Sequence, residues 1–101
     1  MARVEKFTEK HPDGEREGLH FHCPGCDGTH SVYIKGTNCP IWNWDGNLDL
    51  PTIKPSVLVQ YGNKPGSKRC HSYVTAGKIQ FVNDSNHKLA GKTVDLPDAS
   101  D

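Results

Sequence analysis

Apolar and polar residues alternate along this chain in short runs bounded by Gly, Pro and Asn, and they never recur at helical spacing over a dozen residues. "LHFH" (19–22), "HSVYIKG" (30–36) and "PSVLVQYG" (55–62) each read as a strand. "CHSYVTAGKIQFV" (70–82) is the clearest element. Tyr73 and Val74 precede a Thr-Ala-Gly turn, and Ile79 and Phe81 then alternate with Lys78 and Gln80, which predicts a β-hairpin with a short Gly-containing loop. A last strand is expected over 93–96, ended by Pro97, and a single helical turn over 86–90. The pattern predicts an all-β domain over 19–98, a small β-sandwich or open barrel. Residues 1–18 are polar and turn at Pro12, Asp13 and Gly14. They read as a loosely held arm with one short strand near 3–7, and 99–101 as a tail.

Composition changes this picture in one respect. Only 34% of the 101 residues are apolar, mean hydropathy is −0.69, and ten glycines and seven prolines break the chain into short pieces. So thin a supply of core calls for a staple, either disulfides or a metal. Charge excludes more than it suggests. Twelve basic residues balance twelve acidic ones, so nothing draws the whole molecule to nucleic acid or an anionic membrane. No apolar run approaches the ~20 residues of a membrane span, and "MARVEKFTEKHPDGEREG" lacks the apolar centre of a signal peptide. The expected compartment is therefore the cytoplasm, where thiols stay reduced and Cys-x-x-Cys reads as metal-binding or catalytic.

The staple is visible in "HFHCPGCDGTH" (20–30), with two of the four cysteines and three of the six histidines. Pro24 and Gly25 suit a tight knuckle that aims both sulfurs at one point, whereas a redox pair would sit at a helix N-terminus. Asp27, Gly28 and Thr29 extend a turn instead. Zinc binds such thiolates in a tetrahedron, so Cys23 and Cys26 are read as ligands of Zn(2+). Cys70 is the expected third. Neighbours on a strand face opposite ways, so His71 should point away from whatever Cys70 holds, and His20 and His22 away from Cys23. The expected fourth ligand is His87, with His30, Cys39 and His71 as alternatives.

Other signals weaken on inspection. "NWDGNLD" spaces its polar residues like a calcium loop, but Leu48 and Lys54 stand where an EF-hand needs Gly and Glu. It reads as a turn at Asp45-Gly46, with Trp42 and Trp44 sharing one face and anchoring the core. The lesser reading makes them, with His20 and His22, a surface for contacts. "NHKLAGKT" lacks the first glycine of a phosphate loop, and "NKPGSKRC" is a basic surface loop.

"FHCPGCDGTHSVYI", "WNWDGNLDLPTIKPSVLV" and "CHSYVTAGKIQFVNDSNHKLAGKTVDLPD" together resemble a family of small proteins of tailed bacteriophages and prophages. Its members often carry the label "ammonia monooxygenase", a copper membrane enzyme that this composition does not fit. The resemblance implies phage origin, an unassigned function, a zinc knuckle at Cys23 and Cys26, and matching positions at Cys70, His71 and His87. Relatives commonly carry cysteine in place of Ser85. The function expected on this basis is that of a zinc-stabilised accessory protein that binds a host or phage protein inside the bacterial cell. One alternative is a zinc hydrolase with an open metal position, using His71 or His87 as base and Asp84 to orient it. The other is a nucleic-acid-binding zinc ribbon. No residue is singled out as catalytic in the leading reading.

Overall fold

The computed structural model describes residues 2–62, 64 and 66–99. Eight strands follow one another: β1 (Glu5–His11), β2 (Gly14–Cys23), β3 (Gly28–Lys35), β4 (Asn43–Trp44), β5 (Ile53–Gln60), β6 (Arg69–Thr75), β7 (Lys78–Phe81) and β8 (Thr93–Asp95). They form two antiparallel sheets, β1-β2-β3 and β4-β5-β6-β7-β8, each a meander in chain order and neither closed into a barrel. The all-β expectation holds, with no helix among the described residues. Among those residues no helix is long and apolar enough to cross a membrane.

Alternation builds the core. Leu19, Phe21, Cys23 and Val32 of the first sheet meet Ile53, Val57, Cys70, Val74, Ile79 and Phe81 of the second in one buried cluster. Val4 and Leu96 complete it, and Trp42 and Trp44 pack against its edge half-buried, as their shared face predicts. The hairpin joining β6 to β7 turns through Ala76 and Gly77, both left-handed (φ 50° and 79°), as a two-residue type I′ loop requires. Gly77 also lies so close to Leu50 that a Cβ there would collide with it.

Two local expectations are corrected. The polar segment 1–18 is not a loose arm, because residues 5–11 pair with 14–20 along the whole of β1. Its polarity reflects an edge hairpin that is exposed on both faces. Its root is fixed by Val4 in the core, by Arg3 N–H donating to Leu48 O (2.8 Å), and by Arg3 Nη1 donating to Asp49 O (2.7 Å). Nor do residues 86–90 form a helical turn. Asn86 spends its groups across the chain: its N–H donates to Arg69 O (3.0 Å), and its Oδ1 accepts from Arg69 N–H (2.6 Å). The chain then bends through a turn in which Ala90 N–H donates to His87 O (3.1 Å).

Candidate functional site

The strand at the end of "LHFHC" delivers Cys23 inward, and the turn beyond it is closed by Asp27 N–H donating to Cys23 O (2.8 Å), with Asp27 left-handed at φ 53°. That turn brings Cys26 round beside Cys23. β3 then runs back along β2 with Phe21 opposite His30, so His30 also faces inward. From the other sheet, β6 contributes Cys70. The donor atoms of Cys23, Cys26, His30 and Cys70 all lie within 4.8 Å of one another. Cys23 and Cys70 Sγ are 3.7 Å apart. Two sulfurs about 2.3 Å from a tetrahedral zinc stand about 3.8 Å apart, so this spacing fits the ion.

Two further observations support the fit. His30 Nε2 is buried with no hydrogen-bond partner, as a ligating nitrogen would be, while Nδ1 faces Tyr61 Oη at 3.5 Å; His87 Nε2 is buried without a partner too, but lies outside the cluster of mutually close donors. The thiols also share protons unequally. Cys23 is held well below the ordinary thiol range, chiefly by its hydrogen bond with Cys70 and further by His30 beside it. Cys70 is pushed up by that same bond and by burial, Cys26 is pushed up by burial, and the Tyr61 hydroxyl is raised to about 12, chiefly by burial. The cluster thus keeps thiol protons that a divalent ion would displace. These four residues can hold a metal, and the donor set is one that zinc favours.

The fourth member of the cluster is His30, expected only as an alternative, and not His87. His87 lies just outside: its ring stands edge-on to Phe81 (4.6 Å between centroids) and accepts Leu89 N–H at Nδ1. It covers Gly25 so closely that a Cβ there would strike the ring. Cys39 lies between β3 and β4, outside the cluster. His20 and His22 face away from it as expected: His20 is stacked on Phe7 and bonded to Ser31 Oγ (2.6 Å), and His22 is 3.3 Å from Asp27. Asp45 and Asn47 cap backbone N–H groups of their own turn, Asp45 Oδ1 accepting from Asn47 and Thr52.

His71 also faces away from the metal cluster; Asp84 stands beside it, as the hydrolase alternative expected, and Ser56 is the neighbour that sequence reasoning missed. On the outer face of the second sheet, His71 Nδ1 lies 3.1 and 3.2 Å from the two carboxylate oxygens of Asp84. His71 Nε2 lies 2.9 Å from Ser56 Oγ. With Nδ1–H donating to Asp84, Nε2 is left to accept the Ser56 hydroxyl proton. Hydroxyl, imidazole and carboxylate thus stand in the order of a nucleophile, its base and an orienting group.

Each member is held in place by local structure. Register slips between Ile53 and Val57, where β5 is irregular around the cis Lys54-Pro55 bond, and Ser56 emerges from that irregularity. Trp42 Nε1–H donates to Ser56 O (3.2 Å). The Ser85 hydroxyl accepts His71 N–H (2.9 Å) and donates to His71 O (3.0 Å), which clamps the histidine backbone. Ser85 N–H donates to Val82 O across the turn that presents Asp84. The Tyr73 ring lies against the imidazole, 6.2 Å between centroids. Two open clefts flank the row. One of about 500 Å³ contains Ser56 and Tyr73, and one of about 430 Å³ contains Asp84, Lys64 and Arg69.

Fold and site together define a two-sheet β protein with a Cys₃His cluster inside and a Ser-His-Asp row outside. The chain belongs to the family described as bacterial ubiquitination-like system serine protease (BubE), whose model matches residues 3–82. The match spans all four clustered residues as well as Ser56 and His71, and it stops two positions before Asp84. No curated protein and no solved structure matches the chain.

Proposed function

We propose that this protein is a serine protease acting within a bacterial ubiquitination-like system, with Ser56 as nucleophile, His71 as general base and Asp84 as the group that orients and stabilises the imidazole. The observation that carries this reading is the continuous pair of hydrogen bonds from Ser56 through His71 to Asp84. His71 takes the hydroxyl proton as Ser56 attacks a carbonyl carbon, then returns it to the departing amine. Water repeats the sequence on the acyl-enzyme. The family's description points to substrates that carry a ubiquitin-like protein, so the bond cleaved is a peptide or isopeptide bond at its C-terminal end. The open cleft that Ser56 lines gives an extended segment room to lie beside the nucleophile. The Cys₃His cluster acts structurally in this scheme: its donors face the interior, and four protein ligands leave no open position for water. The accessory binding role expected from the sequence would leave the hydrogen-bonded row without a use.

A fluorophosphonate probe tests the proposal directly, because it labels only an activated serine. Labelling should map to Ser56 by peptide mass, and it should vanish in Ser56→Ala and His71→Ala while both variants melt like the wild type. Absence of labelling in folded, metal-loaded wild-type protein would remove the proposal.

A further inference from the structure

A triad supplies the nucleophile and the base. Acyl transfer also needs a donor for the negative oxygen that forms when the carbonyl is attacked, and such a donor is commonly worth about 10²–10³ in rate. Strand order limits where that donor can stand. β5 carries Ser56 and lies between β4 and β6. The base, His71, comes from the β6 side and must reach the leaving nitrogen, so the carbonyl oxygen is turned toward β4. On β4, Asn43 pairs with Lys54 across the strands, which puts its side chain on the outer face two positions from Ser56 along β5. Asn43 lines the same cleft of about 500 Å³ as Ser56. It is exposed, and its carboxamide has no partner among the described residues.

The other polar groups of that cleft are less well placed, Lys54 because it stands on β5 with the nucleophile itself rather than on the β4 side. Tyr73 and Thr75 stand on β6, the side of the base. Pro55 has no N–H, so two consecutive backbone donors ending at the nucleophile are not available. We infer that Asn43 is a further catalytic residue, whose Nδ2–H donates to the oxyanion. As the Ser56 Oγ–C bond forms, the carbonyl π pair moves onto the oxygen, the hydroxyl proton passes to His71 Nε2, and the amide of Asn43 meets the new charge. The inference rests on the proposed role of Ser56.

The test uses the full-length, metal-loaded protein and the second-order rate of fluorophosphonate labelling at Ser56, where the phosphoryl oxygen takes the place of the oxyanion. Asn43→Ala should fold and melt like the wild type, since it removes an exposed side chain without a partner, yet react about 10²-fold more slowly. Lys54→Ala and Thr75→Ala should stay within about threefold of wild type, far short of the loss expected for an oxyanion donor. Labelling of Asn43→Ala at the wild-type rate, or a large loss in Lys54→Ala or Thr75→Ala instead, would overturn the assignment while leaving Ser56 as nucleophile. An unlabelled wild type would end both.

Discussion

Removing the metal should cost this protein a large part of its stability, and the size of the effect follows from where the sulfurs sit in the chain. Cys23 belongs to one sheet and Cys70 to the other, 47 positions apart, with their sulfurs 3.7 Å from each other. An ion shared by the two closes that loop. Treated as a covalent cross-link, a closed loop of this length stabilises the fold by about 4 kcal/mol through the entropy it removes from the unfolded chain. At the 4–8 °C per kcal/mol usual for a domain near this size, the melting temperature should fall by on the order of 15–30 °C. The assay is a pair of thermal melts, metal-loaded and chelator-stripped, with content checked by elemental analysis and about one ion per chain expected from a single tetrahedral site. Cys70→Ser should reproduce the loss, and Cys39→Ser should not. A verified metal-free sample that melts within a few degrees of the loaded one would refute the cross-link argument.

Three further outcomes are expected. Loading zinc near neutral pH should release protons, since Cys26 and Cys70 are held above the ordinary thiol range. An indicator dye in weak buffer reads this, and release of no protons would contradict the assignment. His30→Ala should weaken metal affinity strongly while His87→Ala keeps a Cys₃His spectrum in the cobalt-substituted protein; the reverse pattern would make His87 the fourth donor. Ser85→Ala leaves His71 N–H without its acceptor and should cost about 1–3 kcal/mol in denaturant unfolding. It should also slow Ser56 labelling by loosening the base, and an unchanged labelling rate would show that the clamp plays no positioning role.

Much of this protein can be read from its residues in order. Alternation at Ile79 and Phe81, the Thr-Ala-Gly turn, and the closely spaced Cys23 and Cys26 determine strands, hairpin and knuckle, because each depends on neighbours only a few positions apart. Period-two alternation also settles that Cys70 and His71 face opposite ways. Alternation assigns a face and leaves open which residue of another strand lies alongside. His30 enters the metal cluster because β3 returns with His30 opposite Phe21. Ser56 meets His71 because β5 pairs Val57 with Ser72 after an irregular stretch, and Asp84 arrives on a turn tied to His71 by Ser85. Those are cross-strand distances, decided by register and by the packing of two sheets on one core. A short apolar-polar code carries the faces, and only the assembled structure carries the register.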